Sequence, residues 1–303
     1  MPPTRAWRLV SLAGIVVTLA GASLRGWGEH TWWGVVGEQR ATPAHVPFMV
    51  SVAPAIVLVL VATLSRAGSA RRTWFGPAVV VTALMWLLQV VGWIALYADL
   101  TAIEVPAGGS WLMLAGLMLT IVGGVGDARA WHRHRPIAVV TGARGSPAPW
   151  ALAGAGVAII GASLPLWSRS NPWGTPRPPI PAGVNPRSDW GSVNWWGVLG
   201  PDPRDLLGSH TELTVVAAPA VVLALTLLVP LSFKGLRRWF GPAVGAAAVM
   251  WLVWGVAWWG IYEDHVDSVP LDAGSLLLAL GLVFTTGAAL SDAAEELPAR
   301  IGS

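Results

Sequence analysis

Residues 74–97 read WFGPAVVVTALMWLLQVVGWIALY, a stretch without a charged side chain. A helix needs about 20 mostly apolar residues to cross a bilayer, so this stretch predicts a membrane span. A close copy, WFGPAVGAAAVMWLVWGVAWWGIY, occupies residues 239–262. The span and its copy together indicate a membrane protein that contains an internal duplication.

The composition of the whole chain agrees with a membrane protein. Of its 303 residues 54% are hydrophobic and 12% are charged, and the mean hydropathy is +0.59. Soluble proteins carry about 25% charged residues, so a soluble globular domain, a disordered chain and a coiled coil are excluded. The net charge of +3 comes without a concentrated basic domain, so no nucleic-acid partner is expected. The absence of cysteine excludes disulfides and thiolate metal sites.

Eight apolar stretches are candidate spans, and each is expected to be helical because lipid offers backbone amides no other partner. They cover residues 7–24, 46–64, 74–97, 110–126, 150–167, 211–229, 239–262 and 273–290. The first stretch also resembles a signal peptide with a cleavage site at residues 20–22. We expect it to be retained, because its GASL sequence at 21–24 returns at 161–164, at the end of the fifth stretch.

The two halves of the chain align as repeats. Shifting by 165 residues matches 45–128 to 210–293 without a gap, with about 30 identities in 84 positions. Four spans per repeat is an even number, so both copies run the same way through the membrane as parallel repeats. The predicted fold is therefore an all-α integral membrane protein of eight transmembrane helices in two parallel four-helix repeats. The predicted units are a first repeat 1–128, a basic cytoplasmic linker 129–149, a second repeat 150–293 with a proline-rich outer loop 168–210, and a cytoplasmic tail 294–303.

The basic residues predict the orientation. With the N-terminus inside, the inner segments hold 13 of the 19 Lys and Arg residues, whereas the outer segments hold most of the acidic ones. Cytoplasmic loops are the basic ones, so both termini are expected in the cytoplasm. A single lysine beside 18 arginines, with abundant Ala, Gly and Val, is typical of a high-GC bacterium, which places the chain in a bacterial inner membrane.

Tryptophan is the outlier of the composition, with 20 residues against 5 Phe and 2 Tyr. Trp pairs at 32–33 and 195–196 are predicted near the outer surface, where indole rings anchor at the interface. The third span of each repeat carries rings at helical spacing, which form an aromatic face for a flat or polyprenyl lipid or a packing surface. The candidate binding residues from these patterns are Trp32, Trp33, Trp86, Trp93, Trp195, Trp196, Trp251 and Trp258.

The second span of each repeat has a proline near its middle, Pro54 and Pro219. A proline removes one helical hydrogen bond, and interrupted spans at matching positions of two repeats are a pointer to a binding site. His45 and His210 align at the outer starts of these spans. Two imidazoles across a pseudo-axis would suit a metal, a haem or a pH sensor, or simple hydrogen bonds to loop backbone. No motif with metal-ligand spacing accompanies them.

Two further patterns predict packing. Small residues recur every fourth position in the fourth spans, at Gly116, Thr120 and Gly124 and at Gly281, Thr285 and Ala289. Such residues let helix backbones approach closely, so we expect a seam between the halves or between protomers. Asp127 and Asp292 align at the predicted inner ends of the same spans, and Arg72 and Arg237 are the expected counter-charges.

The sequence leaves the function open among three classes. The first is a non-enzymatic membrane component that binds membrane lipids or a protein partner, the latter through the outer loop 168–210. The second is a transporter of a small or lipid-like solute with its site between the repeats. The third is a membrane enzyme or redox protein that uses the outer histidines. No catalytic motif is present, so no catalytic residue and no cofactor is assigned.

Overall fold

The computed structural model describes residues 3–27, 30–34, 45–64, 74–101, 107–134, 148–164, 166, 194–197, 209–232, 236, 239–265 and 273–295, which are almost entirely helical. The α-helices in this part of the chain are α1 Pro3–Ser23, α2 His45–Leu64, α3 Phe75–Thr101, α4 Gly108–His134, α5 Ala148–Ser163, α6 Ser209–Ser232, α7 Phe240–His265 and α8 Ala273–Glu295. Strands β1 (Arg25–Trp27) and β2 (His30–Thr31) pair antiparallel after α1. Short 3₁₀ turns cover Trp32–Gly34 and Trp195–Gly197.

Five of the described helices contain stretches long and apolar enough to cross a membrane, which indicates a membrane-embedded protein. These stretches are Arg5–Ser23, Phe75–Ile94, Gly108–Trp131, Phe240–Trp258 and Ala273–Ser291. The described parts of α2, α5 and α6 contain shorter apolar helices, Val52–Leu64, Ala148–Ser163 and Ala217–Pro230. The prediction of an all-helical chain with membrane-spanning helices is therefore confirmed.

Helices α3 and α7 form the centre of the bundle. Of their spanning stretches 67% and 72% is buried, against 33% in α1 and in α8. The two central helices contact each other, α4 packs on α3, and α8 packs on α7. Large apolar side chains on α8, among them Leu280 and Val283, are more than half exposed, as expected of a helix that faces lipid.

The proline-containing helices cross between the halves. Helix α2 packs more extensively on α7 than on α3, and α6 contacts α3 as well as α7. Pro54 and Pro219 are both buried within helices that continue past them. The two halves are therefore joined by the contacts of α2 and α6 as well as by the direct contact of α3 with α7.

Small residues of α4 and α8 form close helix contacts inside each half. Gly14 of α1 lies so close to α4 that a Cβ there would come within 2.8 Å of the Gly116 carbonyl oxygen. In the second half, a Cβ on Gly154 of α5 would lie 2.9 Å from the Gly281 carbonyl oxygen of α8. The predicted stripe is thus shared between two neighbours, because Gly124 packs on α3 and Ala289 lies beside α7.

Within the described residues, the counter-charge of Asp127 is Arg8. Helix α4 runs on to His134, so Asp127 lies within the helix, and its carboxylate is 1% exposed. Arg8 donates from Nη2 to Asp127 Oδ2 at 3.3 Å, and its guanidinium stacks 4.8 Å from the Phe75 ring centroid. The physical reason is that α1 packs along α4 and brings Arg8 level with the acid. Arg72, Arg237 and the side chain of Asp292 lie outside the described residues.

The α5–α8 seam gives a stability prediction. Gly281→Val places methyl groups against the backbone of α5, since a Cβ at Gly281 would already lie 2.6 Å from the Gly154 carbonyl oxygen. We expect at least about 3 kcal/mol of destabilisation, or an apparent Tm lower by roughly 6–12 °C. Tryptophan fluorescence during heating in detergent measures this change.

Gly287→Val is the matched control on the same helix. Gly287 is exposed, and a Cβ there would meet no atom within 4 Å. Its apparent Tm is expected to stay close to that of the unmodified chain. Equal losses in the two variants would show that valine in α8, and not the backbone approach, causes the change.

Candidate functional site

A cluster of three tryptophans lies at the centre of the second half. Trp195, from the second 3₁₀ turn, is fully buried. Its ring meets those of Trp251 and Trp254 edge to face, with centroid separations of 5.8 and 5.9 Å. Edge-to-face packing places the positive edge of one ring on the negative face of another, which favours this arrangement. These residues are called the tryptophan cluster below.

In each of the two 3₁₀ turns, the second tryptophan is hydrogen-bonded to the last residue of the preceding helix. The Trp33 indole Nε1 donates to Ser23 Oγ at 3.0 Å, and Trp196 Nε1 donates to Ser163 Oγ at 3.1 Å. Trp32, like Trp195, is buried. The predicted pairs 32–33 and 195–196 thus each send one ring into the bundle and use the other to hold the turn to α1 or α5.

The aromatic faces of α3 and α7 point into the protein rather than toward lipid. Trp86 and Trp251 are fully buried, and Trp93 and Trp258 are 8% and 5% exposed. The packing alternative for these stripes is therefore the one that the burial supports. Their rings fill the central part of the bundle, where α3 and α7 meet.

Several buried side-chain donors in these stripes have no hydrogen-bond acceptor among the described residues. They are the indole Nε1 groups of Trp86, Trp251, Trp254 and Trp258 and the amide Nε2 of Gln89. An indole N–H only donates, and leaving a buried donor unpaired costs about 1–3 kcal/mol. Trp86 aligns with Trp251 and Gln89 with Trp254, so the unpaired donors occupy corresponding positions in the two halves.

A groove opens between α7 and α8 beside the tryptophan cluster. Its volume is about 220 Å³, several times the roughly 30 Å³ share of one liquid water molecule. Trp195 and Trp251 line its depth, and the exposed side chains Val256 and Leu276 stand at its opening. The full lining is Leu166, Trp195, Trp251, Leu252, Gly255, Val256, Ser275, Leu276, Leu278, Ala279 and Leu282.

The groove is almost wholly apolar. Its one hydroxyl belongs to Ser275, which donates to the Leu166 carbonyl oxygen and is thereby occupied. No charged residue is among the lining residues. Such a surface can hold a hydrocarbon chain and offers little to a polar solute.

Two small residues make room for the groove. Gly255 of α7 corresponds to Val90 of α3, and Ala279 of α8 corresponds to Leu114 of α4. A Cβ on Gly255 would meet only the Trp195 ring, at 3.9 Å, which is ordinary contact. The space at Gly255 therefore results from the missing side chain and not from a close approach of backbones.

The proposed proline and histidine sites are only partly placed. Pro54 and Pro219 lie buried in α2 and α6, which pack on the central helices. His45 begins α2 and His210 is the second residue of α6, but their side chains lie outside the described residues. Within the described part of the chain, no group of three His, Cys, Asp or Glu residues is arranged to hold a metal ion. Of the outer loop 168–210, only residues 194–197 and 209–210 are described.

Sequence reasoning found the rings around the groove but not the groove itself. Trp195, Trp251 and the helices that bear them follow from the predicted aromatic pattern. The sequence contains one indication of the groove, because Gly255 and Ala279 align with the larger residues Val90 and Leu114. This difference predicts an open space only when α7 and α8 are known to be neighbours.

Comparison with known proteins finds no matching family model, no similar curated protein and no similar solved structure. The candidate function therefore rests on the groove and the tryptophan cluster.

The tryptophan cluster gives a second stability prediction. Trp195→Ala removes a fully buried ring and both edge-to-face contacts, so the free energy of unfolding should fall by about 3–5 kcal/mol. Trp150→Ala is the control, because Trp150 is 62% exposed and meets Phe284 at the surface. Unfolding in mixed micelles distinguishes the two, and equal losses would contradict a central role for Trp195.

Proposed function

We propose that the chain is a non-enzymatic component of a bacterial inner membrane that binds a membrane lipid by its hydrocarbon chain. The groove between α7 and α8 is the observation that carries this proposal. It is apolar, it is large enough to admit several methylene groups, and its opening is bordered by the exposed side chains of Val256 and Leu276. A hydrocarbon chain can enter it from the side without leaving an apolar environment.

The proposed architecture has eight spans in two parallel repeats, with both termini in the cytoplasm. Corresponding contacts support the repeat. Ser110 donates to the Gly26 carbonyl oxygen, and its counterpart Ser275 donates to that of Leu166. The bonds Trp33–Ser23 and Trp196–Ser163 correspond in the same way. A first helix that packs on α4 through Gly14 supports the retention of the first span.

This orientation places the groove in the outer half of the membrane. Its lining runs along α8 from Ser275 to Leu282, which begins two residues after the start of the helix. Seven residues of helix span about 10 Å, roughly a third of a 30 Å hydrocarbon core. We therefore assign the bound chain to a lipid of the outer leaflet.

The absence of cysteine allows a direct test of the topology. Gly183→Cys, in the outer loop, should react with a membrane-impermeant maleimide in intact cells. Gly302→Cys, in the tail, should react only after the membrane is opened. The reverse labelling pattern would overturn the orientation, and labelling of both in intact cells would overturn the odd number of spans, three, between the two positions.

The groove itself is tested by giving it the residues of the first repeat. Gly255→Val combined with Ala279→Leu fills the space with side chains that the corresponding positions already carry. We expect native mass spectrometry of the mildly extracted protein to show a bound lipid in the unmodified chain. In the double variant the occupancy should fall at least about tenfold.

Gly287→Val is again the control, because Gly287 is exposed on α8 and does not line the groove. It should retain the lipid. A double variant that folds, as judged by its apparent Tm, and still carries the lipid would contradict the assignment. A stoichiometric second protein in place of a lipid would identify the chain as a subunit of a complex.

A further inference from the structure

We propose that the lipid held by the groove is a neutral one that carries a carbonyl oxygen to the indole N–H groups of Trp251 and Trp254, as a quinone with an isoprenoid chain does. This inference rests on the proposed function, because it names the class of lipid that the groove selects. The apolar chain would occupy the groove, and the carbonyl group would lie at the tryptophan cluster.

The first step of the inference is the unpaired donors at the groove. Trp251 lines the groove, and its Nε1 is buried without an acceptor among the described residues. Trp254 Nε1 is in the same condition, and both rings pack against Trp195, which also lines the groove. One donor without an acceptor thus belongs to a residue that lines the groove, and the second belongs to a residue packed on the Trp195 ring that also lines it. A ligand that brings an acceptor oxygen removes the cost of leaving them unpaired.

The second step is the depth of the two indole donors in the membrane. In the predicted span 239–262, Trp251 is 12 residues from Trp239 and 11 from Tyr262. At 1.5 Å per residue it lies about 18 and 17 Å from these ends, and Trp254 lies about 12 Å from the Tyr262 end. Both donors are therefore inside a hydrocarbon core about 30 Å thick. The ester and phosphate oxygens of a diacyl phospholipid lie at the interface, so they do not reach these donors.

The third step is the charge of the ligand group that meets these donors. Indole groups are neutral donors, and no lining residue of the groove is charged. An ion at this depth would be left without a counter-charge there, at a high cost in free energy. The acceptor group is therefore neutral. The aromatic rings around it favour a flat group, which can pack against indole faces.

Contact with these donors requires a movement of the ring. Trp251 is fully buried and its Nε1 atom is covered, so a ligand in the groove reaches this N–H only when the indole turns. Because the N–H makes no bond with a described residue, turning the indole toward a ligand breaks no such hydrogen bond. Ligand binding should therefore change the environment of Trp251.

The experiment compares two probes with the same chain, decyl-1,4-benzoquinone and decylbenzene, on the full-length protein in detergent. Both fit the groove, but only the quinone has carbonyl oxygens. We expect the quinone to bind more tightly to the unmodified chain. Trp251→Phe and Trp254→Phe keep a ring and remove the N–H, so each should weaken quinone binding by about tenfold and leave decylbenzene binding unchanged.

The control is Trp33→Phe, because the Trp33 N–H is bonded to Ser23 in the first half and Trp33 does not line the groove. It should bind both probes as the unmodified chain does. Decylbenzene binding also shows whether the groove of each variant is folded. If one Trp→Phe variant no longer binds decylbenzene, the other Trp→Phe variant is used in the comparison.

The outcomes separate this inference from the proposed function. Equal affinity of the unmodified chain for the two probes, or quinone affinity unchanged in both Trp→Phe variants, overturns the carbonyl contact and leaves a groove for hydrocarbon chains. Failure of both probes to bind, together with the absence of a lipid in the native protein, overturns the proposed function itself. Quinone binding that is lost with the N–H groups while decylbenzene binding persists supports both.

Discussion

The close approach of α1 to α4 and of α5 to α8 is the contact on which the rest of the bundle depends. In a membrane, apolar side chains gain nothing by leaving lipid for one another, so helices associate through packing and hydrogen bonds. Gly14 against Gly116, and Gly154 against Gly281, allow backbone to lie on backbone. These contacts hold α1 on α4 and α5 on α8, and the central helices α3 and α7 pack against α4 and α8.

Because these helix pairs are held in place, the size of the side chains between the helices determines how much open space remains in the interior. The central helices bring large rings into this space, and most of them are buried. Where Val90 and Leu114 provide bulk in the first half, Gly255 and Ala279 leave a groove in the second. Helices with corresponding contacts in the two halves therefore differ in whether the space beside them is filled.

The helices and the close packing of small residues could be predicted because they depend on local composition and periodicity. The partners of these features could not. The sequence predicts Arg72 as the counter-charge of Asp127, whereas within the described residues α1 places Arg8 beside this acid. The aromatic stripes were open to a lipid-facing or an inward reading, and only the position of α3 and α7 at the centre of the bundle decides for burial. The groove requires the contact of α7 with α8, which no single stretch of sequence contains.

The interior tryptophans bury polar groups as well as large rings. Phenylalanine is smaller, but it also makes edge-to-face contacts and buries no donor. Trp86, Trp251, Trp254 and Trp258 instead each bury an N–H that no described residue accepts, at a cost of about 1–3 kcal/mol apiece. In a bilayer, where water does not compete, an acceptor brought to such donors is bound more strongly than at a surface. Under the proposed carbonyl contact, these indoles bind a ligand that carries oxygen into the hydrocarbon core, and without it they reduce the stability of the bundle.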